Sequence, residues 1–93
     1  MDDRDQIGCF GVSRAGHDCN EIYVIINSDS EYVYLADGKS KTVDKPKKKK
    51  KKHVQIIKHI DQDIEKKLSQ NKLLINEDIK RAIKLNKNNL KLN

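Results

Sequence analysis

Between Phe10 and Ile26 two apolar runs flank a short polar loop, and no other stretch constrains the fold of this chain as much. The first run is Phe10-Gly11-Val12-Ser13 and the second, after Glu21, is Ile22-Tyr23-Val24-Ile25-Ile26; Arg14 to Asn20 lie between them. Glycine serves wherever φ must be positive, and Asn and Asp tolerate it next best. Gly16, Asp18 and Asn20 are therefore the turn-forming positions. A loop of that kind between two β-prone runs predicts a tight antiparallel hairpin.

Taken in order, the alternation predicts strands over residues 7–13, 21–26 and 31–36. In the third, Tyr32 and Tyr34 share one face, and Val33 and Leu35 the other. Asn27-Ser28-Asp29-Ser30 collects residues that form side-chain-to-backbone turns. Asp37 and Gly38 form a dipeptide favoured in two-residue hairpins, which predicts a short fourth strand over 40–44 around Val43, ended by Pro46. Six lysines follow, Lys47, Lys48, Lys49, Lys50, Lys51 and Lys52, with Lys45 just ahead. Like charges in a block repel, so this run is expected as an extended connection. Val54, Ile56 and Ile57 then supply a fifth strand. The expected architecture is mainly β: a small five-stranded SH3-like barrel over 1–58, whose fourth and fifth strands are joined by the lysines.

Residues 59–93 read as a helical, basic extension. Asp61 can cap a helix carrying Ile64 and Leu68, and Asn71-Lys72 breaks it. Asn76 followed by Glu77 and Asp78 is a second helix start, with acids at the positive end of the dipole. Ile79, Ala82 and Ile83 form its apolar stripe, and Glu77 with Arg81 an expected ion pair. The lysines and asparagines from Lys84 onward predict a frayed tail.

Charge divides the chain. Residues 1–44 hold four basic residues against nine acids, net −5, whereas 45–93 hold sixteen against five, net +11. A strongly basic half calls for a polyanionic partner. The acidic opening Met1-Asp2-Asp3-Arg4-Asp5 is not the start of a signal peptide, and no run nears the ~18 apolar residues of a membrane span. A cytoplasmic location is expected, with Cys9 and Cys19 reduced and packed as small apolar residues.

The order of small-apolar strand, Arg-Ala-Gly-x-Asp loop and Ile/Val-rich strand resembles the KOW motif of small RNA-binding barrels in ribosomal proteins and transcription elongation factors. Gly16 and Asp18 match that motif, and Asn20 stands at its second glycine. His17, Cys19 and Glu21 occupy positions that are basic in the family. Lys45-Pro46-Lys47 with the lysines that follow, then His53-Val54-Gln55, is similar to the family's Lys-Pro-Lys-rich segment after strand four. The likeness covers about residues 5–57. It implies RNA binding, with ribosomal RNA or a ribosomal subunit as partner.

The residues expected to meet RNA are Arg14, Lys39, Lys41, Lys45 and Lys47 through Lys52, while Asp37 and Gly38 join the hairpin positions as turn formers. Lysine is a flexible point charge that suits phosphate and has no geometry for reading a base. Cys9, His17, Cys19 and His53 are metal-ligand types, but no Cys-x-x-Cys or His-x-x-x-His pair sets two of them in register, and no metal is expected. No phosphate loop, nucleophile elbow or tuned acid pair is present, so the chain reads as a binding protein without cofactor or small-molecule substrate. Two competing readings remain: a protein-interaction module docking through its acidic half, as in elongation factors, and attachment to anionic membrane through the lysines.

Overall fold

The computed structural model describes residues 6–17 and 19–90; Asp18, one of the expected turn positions, lies outside them. The elements are β1 (Cys9–Ser13), β2 (Ile22–Ser28), β3 (Tyr32–Ala36), β4 (Lys47–Lys50), β5 (Val54–Ile60), α1 (Gln62–Ser69) and α2 (Asn76–Asn86). A 3₁₀ turn over Lys51–His53 joins β4 to β5, and another over Lys87–Asn89 follows α2. The strands form one antiparallel sheet in the order β4-β3-β2-β1-β5.

The hairpin that the sequence predicts is present. β1 pairs with β2, and the loop turns through Gly16 at φ +86° and Asn20 at φ +73°. Asn20 N–H donates to the Ser13 carbonyl at 2.7 Å, closing the loop. Period-two alternation sorts the strand residues between two cores. Phe10, Val24 and Ala36 share one face with Ile64, Ile79, Ala82 and Leu90 from the helical segment. Cys9, Tyr23, Ile25, Val33, Leu35 and Val54 fill the other.

The expected barrel is instead an open sheet with β4 and β5 as its two edges. It is strongly curled. Five flat strands at about 4.8 Å spacing would hold the edges about 19 Å apart. The 3₁₀ link between those edges, at about 2 Å rise per residue, reaches only about 8 Å. Gly11, in the middle of β1, shows the result: an added Cβ would lie 3.1 Å from Val54 Cγ1 of β5, 3.3 Å from Leu35 Cδ2 of β3 and 3.4 Å from Ile25 Cγ1 of β2. The inner face is packed so closely there that even a methyl group at position 11 would push its neighbours aside.

Strand four differs from expectation. Residues 40–44 form no strand, because side chains capture their backbone donors. Asp37 Oδ1 accepts from the amides of Lys39 at 2.8 Å and Lys41 at 2.9 Å, and Asn76 Oδ1 accepts from Val43 N–H at 2.9 Å. Burial pushes the Asp37 carboxyl up, but the Lys41 and Lys39 amides and the Ser40 hydroxyl outweigh it and hold its pKa below the ordinary 3.8. Asp37-Gly38 thus opens a side-chain-stabilised loop rather than a two-residue hairpin turn, though Gly38 does take φ +82°. The strand is the lysine run itself, Lys47–Lys50 paired to β3. Pro46, lacking a backbone donor, precedes it rather than ending another strand.

Asp61 caps α1 as expected, its Oδ2 accepting from Asp63 N–H at 3.0 Å and Ile64 N–H at 3.3 Å. α2 starts at Asn76, and Asp78 Oδ2 reaches back to Ile75 N–H at 2.9 Å. Glu77 pairs with Lys80 at 3.0 Å, not with Arg81, which sits 3.4 Å from Asp63 and 3.5 Å from Asp78. The frayed tail is also corrected up to residue 90. α2 continues to Asn86, whose Nδ2 donates to Asp61 Oδ1 at 2.9 Å, and Leu90 is buried in the core under the helices. Neither Cys9 nor Cys19 forms a disulfide among the described residues, and Cys19 is exposed rather than packed. No helix among the described residues is long and apolar enough to cross a membrane.

Candidate nucleic-acid interface

Alternation along β4 divides its lysines between the two sides of the sheet. Lys48 and Lys50 stand opposite Tyr34 and Tyr32 in register and are exposed. Lys48 Nζ lies 4.3 Å from the centroid of the Tyr32 ring, within cation–π range. Tyr34 OH donates to Asp29 Oδ2 at 3.2 Å, and Asp29 Oδ1 accepts from Glu31 N–H at 2.9 Å and Tyr32 N–H at 2.7 Å. The Tyr32 amide, then the Glu31 amide, with smaller help from Tyr34 and the Lys48 charge, hold the Asp29 carboxyl below its ordinary value. This half of the strand presents two ammonium groups beside two tyrosines.

Lys47 and Lys49 stand opposite Leu35 and Val33 on the inner side, half-buried at its rim. Lys49 Nζ donates to the Ala15 carbonyl at 2.6 Å, which ties β4 to the β1–β2 loop across 34 positions of sequence. Arg14, the residue before, is fixed at the same corner. Its amide donates to the His53 carbonyl at 2.8 Å, Nη1 donates to Asn20 Oδ1 at 3.1 Å, and Nη2 to Gln55 Oε1. Asn20 therefore turns the loop with its backbone and holds the guanidinium with its side chain.

The expected RNA-binding set separates into two places. Lys47 through Lys52 run along β4 and the 3₁₀ turn, with Arg14 at the corner they share with the hairpin loop. Lys50, Lys51 and Lys52 line a shallow hollow of about 240 Å³ with Ser30 and Glu31. Lys45 is exposed in the loop that leads into β4, its amide bonded to Thr42. Lys39 belongs elsewhere, in a cleft against α2, and Lys41 is half-buried in the loop between. Of the metal-ligand types, Cys9 is buried in the inner core, His17 and Cys19 are exposed in the hairpin loop, and His53 closes the 3₁₀ turn.

No protein-family model matches this sequence, and no curated protein matches it. The surface must speak through its own geometry. Tyr32 and Tyr34, which lie beside Lys48 and Lys50, were not in the expected contact set, although their alternation with the core residues Val33 and Leu35 placed them outward. Nor were Lys80, Lys84 and Lys87, whose spacing of four and three marks one side of a helix.

Proposed function

We propose that this protein binds RNA through the phosphate backbone, with β4 and the Arg14 corner as the contacting surface and ribosomal RNA or a ribosomal subunit as the partner. The observation that carries the reading is the tetralysine edge strand. Paired to β3 and tethered by Lys49 to Ala15, it holds its charges on a defined line instead of a wandering loop. Ordering the strand in the folded protein lowers the entropy cost of engaging several phosphates together. The KOW likeness of residues 10–26 and of the Lys45–Gln55 segment supports the same reading. We take the curled sheet, with its short 3₁₀ link between edges, as the SH3-like type that the likeness implies. Such a protein works by binding and needs neither catalysis nor cofactor.

Docking on another protein through the acidic half has less behind it. Two of those acids, Asp29 and Asp37, already hold their carboxylate oxygens against backbone amides and hydroxyls of their own loops. Fluorescence-anisotropy titration against structured ribosomal RNA fragments at several salt concentrations tests the RNA reading. With about five phosphates neutralised, log K should fall against log salt with a slope of roughly −3 to −5. An absent or salt-independent interaction would overturn it, as would co-sedimentation with ribosomal subunits that survives RNase.

A further inference from the structure

A second basic surface lies where α2 meets the loop that follows β3. Lys80 and Lys84 of α2 and Lys87 just beyond it fall on one side of the helix, and Lys39 faces them from the loop. Between them is a cleft of about 490 Å³, with Ile22 and Ile83 as its apolar floor.

The approach of loop to helix is built in. At Gly38, with φ +82°, an added Cβ would sit 2.6 Å from the Asn76 carbonyl oxygen and 2.8 Å from Lys80 Cγ. Only glycine lets Lys39 come this close to α2. The Val43 amide bonded to Asn76 Oδ1 fixes the far side of the loop. Two acids also line the cleft, Glu21 and Asp37. Asp37 is engaged within its loop by the Lys39 and Lys41 amides and the Ser40 hydroxyl, and Lys80 is paired with Glu77. With Lys80 offset by Glu77, the ammonium groups of Lys39, Lys84 and Lys87 against the carboxylates of Glu21 and Asp37 still leave the cleft positive.

We propose that this cleft binds paired phosphate groups, independently of β4. Lysines on three successive turns can take two neighbouring phosphates at once, each as a point charge. The floor of Ile22 and Ile83 accepts the apolar face of a sugar or base. Two sources share that chemistry: a free diphosphate group, as in a small nucleotide, and consecutive phosphates of an RNA strand. The second source extends the RNA reading and would give the protein two separate contacts on one polyanion.

The test is a ¹⁵N-correlation NMR titration of the full chain, once with sodium pyrophosphate and once with a short oligouridylate. Wild type is compared with Lys84→Gln/Lys87→Gln and with Lys48→Gln/Lys50→Gln; all four positions are exposed, and melting curves check that each variant stays folded. The expected result is saturable shifts at residues 39–41 and 80–87. Affinity there should weaken at least about tenfold in the α2 variant and stay unchanged in the β4 variant. Saturation by pyrophosphate alone assigns the free-diphosphate source, and saturation by the oligonucleotide alone assigns the RNA backbone. Absent or non-saturating shifts with both probes, or equal affinity in wild type and the α2 variant, would overturn the proposal. Oligonucleotide shifts confined to the cleft and missing from residues 47–52 would count against β4 while leaving this site standing.

Discussion

Lys67 Nζ lies 2.6 Å from Asp78 Oδ2, joining the last turn of α1 to the first turn of α2. Burial pushes the Asp78 carboxyl up, but the hydrogen bonds from Lys67 and the Ile75 amide, with the Lys67 and Arg81 charges, outweigh it and hold its pKa below the ordinary 3.8. A carboxylate depressed in the folded state contributes stability in full above its unfolded pKa and loses it as pH falls through the folded one. Asp78→Asn should therefore cost about 1–2 kcal/mol at neutral pH. That gap should close as pH falls below 3.8. Thermal melts of both proteins across that range are the check; a gap independent of pH would mean that Asp78 acts through packing alone.

Asn20 holds φ +73° and accepts from Arg14. Asn20→Gly keeps the backbone and loses one exposed hydrogen bond, so its melting temperature should match wild type closely. Asn20→Val places a β-branched side chain in the left-handed region and should destabilise by at least about 1 kcal/mol. Equal melts for the two variants would separate this position from the turn.

The two sides of β4 should contribute differently. Lys48→Gln/Lys50→Gln removes the exposed pair, and each lost phosphate contact makes the salt slope shallower by about 0.7–0.9. A change of about 1.4–1.8 is expected, equal for all RNA sequences, because lysine does not read base edges. Lys49→Gln should instead loosen the tie to Ala15 and reduce the protection of loop amides in hydrogen exchange. Anisotropy at graded salt and exchange NMR measure the two effects.

Gly11→Ala should destabilise by about 1–3 kcal/mol through overpacking, since neighbours from three other strands converge on the space a Cβ would take. Denaturant midpoints at constant m-value decide this. A neutral result would mean the curl of the sheet is softer than its geometry implies.

Asn86→Ala should cost about 1–2 kcal/mol, because Asn86 Nδ2 bridges the buried Asp61 carboxylate and the Ala82 carbonyl. A tail that frayed from Lys84 would show no change. Chemical denaturation separates these outcomes.

Alternation and turn residues were enough to find β1, β2, β3 and β5, the Asp61 cap and the helix start at Asn76. What could not be read locally was decided by partners distant in sequence. Lysine has little intrinsic β preference, and Lys47–Lys50 is a strand because β3 offers a pairing edge and Ala15 an acceptor for Lys49. Val43 looked like a strand centre, but its amide belongs to Asn76, 33 positions later. Leu90 was missed, taken as part of a frayed tail: the lysines and asparagines around it hid one apolar residue that a 3₁₀ turn after α2 brings back into the core. Of the expected interface, the lysine run and Arg14 come together, and Lys39 joins a group that only its helical spacing foreshadowed.

The tetralysine edge also bears on how copies of this protein meet one another. A sheet edge is where a second chain adds a strand, and runs of positive charge there deter it. Two β4 edges brought side by side would set four ammonium groups against four, a repulsion that low salt preserves and high salt screens. An acidic polymer laid along β4 would cancel that repulsion while covering the edge itself. With no such polymer on the edge and in concentrated salt, the molecule is left with the least protection against its own kind.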